Sequence, residues 1–241
     1  KKFIHTMTGT IINVLTIIIG SILGIFLGAK LPERIRNTVL SILGLFTMAL
    51  GFQMFLKTDN SLIVLMALLI GALLGEWWRI EDKFENLGKN LQKSFSSSLK
   101  NQDLSRFVEG FLTASILFCV GPMAILGSIQ DGLSGDYSLL ATKAIMDGFA
   151  AMAFSASLGI GVAFSSLPIL VFQGGLSLLA FQVQNLITPT MVNEMSATGG
   201  VILVGIAISN ILTIRRIRTA NLLPALFLAP LIVGLLSRFT F

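Results

Sequence analysis

Apolar residues along this chain fall in blocks rather than alternating with polar ones, and the charged residues collect in the short stretches between the blocks. A helix that crosses a bilayer needs about 20 mostly apolar residues. Eight blocks approach that length: 8–29, 38–56, 60–78, 108–129, 138–165, 168–188, 195–214 and 221–238. Backbone polar groups in lipid must be satisfied within the segment, so each block reads as a helix. The expected fold is therefore an all-α polytopic transmembrane bundle occupying residues 7–238 as one domain, with about eight spans. The count becomes seven if span 4 or span 7 is re-entrant. The first block is too long for a secretory signal and has no small-residue cleavage site. Met7 is a candidate initiator, so residues 1–6 are set aside.

Residues 79–106 follow a different pattern. Ile80, Phe84, Leu87, Leu91 and Phe95 recur at helical spacing with lysines opposite, which predicts an amphipathic helix on the cytoplasmic membrane surface between spans 3 and 4. Ser94–Ser98 is expected to end it, and Trp77 and Trp78 just before it suit an interfacial aromatic belt. This helix serves equally as a tether or as a partner-binding element.

Charge sets the orientation. Lys30, Arg34 and Arg36 follow span 1; six more basic residues lie between Arg79 and Arg106; Arg215, Arg216 and Arg218 follow span 7. With these sides cytoplasmic, only Lys57, Lys143 and Arg238 remain outside, as the positive-inside rule expects for eight spans with both termini outside. An odd count would put one basic cluster on the wrong side. Composition agrees: 54% of the 241 residues are apolar and 12% charged, and the mean hydropathy is +0.86. Soluble domains carry about 25% charged residues, so lipid must cover much of this surface. The net charge of +5 is accounted for by the topology signals, and no nucleic-acid partner is expected. One cysteine, Cys119, and one histidine, His5 in the tail, leave no disulfide framework and no zinc or haem site, so no metal or cofactor is expected.

Several strings stand out. Thr8-Gly9-Thr10-Ile11-Ile12-Asn13 opens span 1, and Phe118-Cys119-Val120-Gly121-Pro122-Met123-Ala124-Ile125 lies in span 4, followed by Gln130-Asp131-Gly132. Lys143-Ala144-Ile145-Met146-Asp147-Gly148, Gln173-Gly174-Gly175 and Ala220-Asn221-Leu222-Leu223-Pro224-Ala225 complete the set. On these strings the chain resembles the uncharacterised bacterial inner-membrane proteins of the YdfK/YqgA type, a domain of unknown function, over about residues 7–238. The resemblance implies a multi-pass protein of the bacterial cytoplasmic membrane, often described as a transporter, and brings no substrate and no functional residues.

The residues themselves must carry the chemistry. Asp147 lies about nine residues into span 5, roughly 13 Å down. An ionised carboxylate at that depth is expensive unless it faces a partner, water or an ion. Lys143, one turn earlier on the same face, either tunes Asp147 as a protonatable or cation-binding group or forms a structural ion pair while snorkelling outward. Pro122 removes a donor and clashes with the Phe118 carbonyl, so span 4 must kink or break at Gly121-Pro122. The freed backbone near Phe118 and Cys119 then lines a site or is a packing kink. Gln173 with Gly174 and Gly175 predicts local unwinding or a close helix contact in span 6. Asn13 and Asn210, inside spans 1 and 7, read first as interhelical hydrogen bonds. Asp131, Asp136 and Glu194 give the outer side near spans 4 to 7 an acidic mouth that favours cations. Gly20, Gly24 and Gly28 on span 1, and Gly71 and Gly75 on span 3, are faces for close helix packing, or for a homodimer in the case of span 1.

These features point to a transporter or channel for a small solute or ion, cation- or proton-coupled, with a path among spans 4–7 through Asp147, Lys143, Phe118, Cys119, Gly121, Pro122, Gln173, Gly174, Asn210 and Glu194. The alternative is a non-transporting scaffold or regulatory subunit that uses the glycine faces and the surface helix. The bilayer is the expected partner. An enzyme is not expected, because no nucleophile elbow, zinc-binding helix, phosphate loop or second deep aspartate is present.

Overall fold

A computed structural model describes residues 7–30, 32–84, 86, 104–119, 121–212, 214–215 and 217–239, and helix is the only regular structure among them. In chain order the elements are α1 (Thr8–Gly28), α2 (Glu33–Phe55), α3 (Ser61–Trp78), α4 (Leu104–Cys119), α5 (Pro122–Ser134) and α6 (Ser138–Leu158). Then follow α7 (Gly161–Phe164), α8 (Ser166–Leu178), α9 (Ala180–Val183), α10 (Pro189–Ile206) and α11 (Ala225–Phe239). A π turn (Ala207–Ile211) extends α10, and a 3₁₀ turn (Thr219–Leu222) precedes α11. Seven of these segments are long and apolar enough to cross a membrane, with α7 and α8 counted together; α4 and α5 form an eighth, bent by 59° at its break. Large apolar side chains such as Leu15, Leu45, Leu65, Phe149 and Val171 are exposed along these helices, as lipid-facing surfaces require.

The chain divides into two compact units. One holds the residues up to Leu40 with Glu109–Ile187, and the other holds Ser41–Val108 with the residues from Thr188 on. Most of the expected amphipathic segment, residues 87–103, lies outside the described residues. Arg79 ends α3 in a left-handed conformation at φ 50°, residues 80–84 resume a helix, and α4 already begins at Leu104.

Glycine sets the helix pairing in the first unit. A Cβ on Gly20 would lie 2.2 Å from the Gly148 carbonyl oxygen, on Gly24 2.2 Å from that of Met152, and on Gly28 2.1 Å from that of Ala156. Two steps of four residues on α1 thus match two equal steps forward on α6, so the two helices run parallel in near backbone contact. The face available to a homodimer through span 1 is taken up by α6.

The same pair of helices shows how far α4 and α5 reach. Gly110 on α4 packs beside Leu158 and Val162, at the far end of α6. Asp131, near the end of α5, accepts a hydrogen bond from the Gly9 amide at the start of α1. The broken pair therefore runs the full height of α6. It is one broken element as tall as α6. Two features position the break. Pro122 cannot donate to the carbonyl four residues back, and Gly121 is extended at φ −154°, ψ 148° as the residue before α5.

In the second unit α3 packs antiparallel to the segment that begins α11. Cβ atoms on Gly71 and Gly75 would meet Ala225 and the Asn221 carbonyl oxygen, at 2.6 and 1.9 Å. Asn221 Oδ1 accepts from the Glu81 amide at 2.7 Å, while Glu81 Oε2 accepts from the Ala220 amide at 3.0 Å. Trp77 and Trp78, at the end of α3, are exposed.

Candidate functional site in the first unit

Three helices of the first unit each present polar residues toward its interior at steps of one or two helical turns. Thr10, Asn13 and Ser21 lie on α1; Lys143, Asp147 and Ser155 on α6; Ser166, Gln173 and Ser177 on α8. All nine are buried. Polar stripes of this kind in apolar helices face one another because lipid offers no hydrogen bonds.

The stripes join at Asn13. Its side-chain N–H groups donate to Asp147 Oδ2 at 3.0 Å and to Gln173 Oε1 at 3.2 Å. Lys143 also donates to Asp147 Oδ2, closing an i,i+4 ion pair on α6. The Lys143 ammonium stands 5.8 Å from the ring centroid of Phe118, which is fully buried on the last turn of α4 before the break. That distance is within the range of a cation–π contact. Spans 1, 4, 5 and 6 thus meet around one buried charge pair.

Hydrogen bonding at this centre is incomplete. Asn13 Oδ1 and Gln173 Nε2 are both buried and have no partner among the described residues. One is an acceptor and the other a donor of two hydrogens. An unpaired buried polar group costs about 1–3 kcal/mol, and this pair lies beside an ion pair that is already expensive in lipid. The arrangement can offer a polar solute one acceptor and one donor, next to a carboxylate and an ammonium.

The remaining expected site residues divide clearly. Cys119 is half-buried at the break, and among the described residues nothing lies within 4 Å of a Cβ added to Gly121. Pro122 is the first residue of α5; its side chain lies outside the described residues. Gly174 and Gly175 do not unwind span 6. Helix α8 runs through both, Gly174 packs against Met7 and Thr10, and Gly175 faces open space. The interruptions in that region fall at Gly159, which has φ 79°, and around Ser165 and Leu179.

Glu194 and Asn210 belong to the second unit. Glu194 is fully buried. Its Oε2 accepts from Thr58 Oγ1 at 2.6 Å, and its Oε1 from the Asp59 and Asn60 amides at 2.8 and 2.9 Å. It anchors the loop before α3, where a negative charge suits the helix dipole. Asn210 lies in the π turn that follows α10; its side chain lies outside the described residues. The acidic mouth is likewise not as expected. Asp131 and Glu194 are buried caps, and only Asp136 is exposed. Ser138 holds the Asp136 carboxyl below the usual range through hydrogen bonds from its hydroxyl and its amide, helped by Gln130.

Residues 8–234 match the family described as "Protein of unknown function (DUF554)". The chain belongs to this family. It is 35% identical over 221 residues to "Uncharacterized protein YqgA" of Escherichia coli (strain K12), covering 92% of this chain and 94% of that one. It is 30% identical over 237 residues to "Uncharacterized membrane protein YdfK" of Bacillus subtilis (strain 168), covering 97% and 98%. No solved structure matches it. The chain is therefore a membrane protein of an uncharacterised family, and only its own geometry bears on mechanism.

Asn13 is the central residue to which sequence reasoning gave only an interhelical hydrogen bond; it makes two, to α6 and to α8. An amide in span 1 is equally at home bridging two helices or joining a charged centre. The one available signal was its position among Thr10, Ser21 and the glycines on a single face of α1.

Proposed function

We propose that this protein is a transporter or channel for a small polar solute or ion in the bacterial cytoplasmic membrane, and not an enzyme. The route runs through the interior of the unit that holds Asp147. One observation carries the reading: the buried Lys143–Asp147 pair is bonded through Asn13 to Gln173, and the centre keeps a free acceptor and a free donor. A purely structural centre would be expected to satisfy all its groups. The break between α4 and α5 supports the same reading, because irregular backbone at membrane depth is tolerated where it is buried or lines a path. In this reading Asp147 carries the coupling proton or contacts a cation, Lys143 tunes it, and Asn13 and Gln173 hold the solute. The expected path shifts accordingly, to spans 1, 4, 5 and 6.

The test is ion and proton flux in proteoliposomes, comparing wild type with Asp147→Asn. Loss of flux on substitution supports the route. Flux and pH dependence that survive the substitution unchanged would rule Asp147 out.

A further inference from the structure

A second group of unsatisfied polar atoms lies where the start of α1 meets the ends of α5 and α8. Asp131 is fully buried. Its Oδ2 accepts the Gly9 amide at 2.9 Å, and the Thr10 amide faces the same carboxylate. Its Oδ1 is buried with no partner among the described residues, and so are Thr10 Oγ1 and Ser177 Oγ. The three residues are brought together by close packing. Thr10 follows Gly9 in the chain, and its methyl lies 3.9 Å from where a Gly174 Cβ would be. Gly132, next to Asp131, is so close to α8 that its Cβ would lie 2.1 Å from the Ser177 carbonyl oxygen.

This group has its own chemistry. All three free side-chain atoms are oxygens: one carboxylate and two hydroxyls. The hydroxyls do not bond to the carboxylate, so the buried carboxyl, capped by Gly9 on one oxygen, keeps the other open. Carboxylate and hydroxyl oxygens are the ligands that hard cations take. The charge count selects the valence. One carboxylate, partly offset by the α1 dipole, balances a monovalent ion and leaves a divalent ion uncompensated inside the membrane.

We propose that Asp131 Oδ1, Thr10 Oγ1 and Ser177 Oγ bind a small monovalent cation, with sodium as the probe. The site is separate from the Lys143–Asp147 centre. It deepens the transport reading by supplying a coupling ion, yet its occupancy can be measured without transport.

The experiment follows thermal unfolding of the full chain in detergent as sodium replaces potassium or choline at constant ionic strength. Wild type is expected to show a saturable rise in its midpoint with sodium, and Asp131→Asn to lose it. Ser177→Ala and Thr10→Val keep the Gly9 cap, so they cover the case in which Asp131→Asn fails to fold. Each is expected to raise the half-saturating sodium concentration about tenfold or more. Asp147→Asn is expected to keep the response even where it abolishes flux, so failure of the two proposals is distinguishable. A folded wild type that responds equally to all three cations overturns the site. So does a midpoint that depends on pH alone, or a sodium response that survives both hydroxyl substitutions.

Discussion

Adding a single methyl group to the α1 ladder tests the parallel pairing on which the first unit rests. In Gly24→Ala the new Cβ lies 2.2 Å from the Met152 carbonyl oxygen and 2.1 Å from Ser155 Oγ. The serine can rotate away, but the carbonyl belongs to the α6 backbone and cannot. Carbon and carbonyl oxygen approach no closer than about 3.3 Å in comfortable contact, so α1 and α6 must separate by roughly 1 Å. A gap of that size forfeits a quarter to a half of each dispersion contact along the seam. Overpacking of this kind costs about 1–3 kcal/mol. Gly20→Ala makes the same demand through the Gly148 carbonyl oxygen at 2.2 Å.

Because both substitutions push apart the same two helices, the separation forced by one relieves the other. The double variant is expected to cost less than the sum of the singles, which is coupling between sites that share a partner. Unfolding in detergent, read by circular dichroism with a parallel size measurement, gives both quantities. Gly175→Ala is the control. Nothing lies within 4 Å of its added Cβ, and removing a helical glycine favours the fold by up to about 1 kcal/mol. Ladder variants as stable as this control would refute the pairing. Ladder variants that keep their unfolding midpoint and lose self-association would instead restore the homodimer reading of that face.

Lys143→Met is expected to destabilise the protein by about 3–5 kcal/mol by leaving Asp147 as an unpaired buried charge, and Lys143→Met with Asp147→Leu to recover most of that loss while abolishing flux; unfolding and proteoliposome assays check the two halves. Glu194→Gln leaves the amides of Asp59 and Asn60 with a weaker acceptor and is expected to cost about 1–3 kcal/mol, with faster hydrogen exchange confined to the loop before α3. Gly121→Ala is expected to leave both stability and flux unchanged. Its extended backbone suits any residue, and among the described residues nothing lies within 4 Å of the added Cβ, so a large loss of either would show that the break tolerates no side chain.

Much of the architecture was legible in the sequence because lipid makes a simple demand. A span has to be about 20 apolar residues, and the basic residues mark the ends. Bounds shifted where a short irregular step replaced a loop, as at Gly159, where a positive φ ends α6 seven residues before the expected limit of span 5. The Gln173-Gly174-Gly175 string left unwinding and a close helix contact both open. Glycines permit unwinding, but they permit close approach equally well, and Gly174 is used for approach to Met7 and Thr10. Asp147, Lys143 and Gln173 were legible as separate residues because each is polar in an apolar block, and Phe118 through its carbonyl at the Pro122 break, although in the fold it is the ring that meets Lys143. Their meeting at Asn13 was not, since it depends on the parallel register of α1 and α6, set by backbone contacts between residues more than a hundred positions apart. Glu194 was misread as a mouth residue because exposure was inferred from its place near the end of a span. In the fold its carboxylate is used up by Thr58 and two amides.

Stability alone does not account for the Lys143–Asp147 centre. Buried ion pairs are often matched or bettered by well-packed apolar residues. The second unit shows what structural carboxylates look like in the same chain: Glu194 has three donors, and Glu81 is joined to the Asn221 segment by hydrogen bonds in both directions. The first unit, by contrast, leaves Asn13 Oδ1, Gln173 Nε2, Asp131 Oδ1, Thr10 Oγ1 and Ser177 Oγ without partners. The chain can evidently satisfy a buried carboxylate where the fold requires it. Open hydroxyls occur in the second unit too, at Thr47, Ser196 and Thr219, but among the described residues the open carboxylate and amide atoms, those of Asp131, Asn13 and Gln173, all lie in the first unit. The proposed solute path gives those open carboxylate and amide atoms a use.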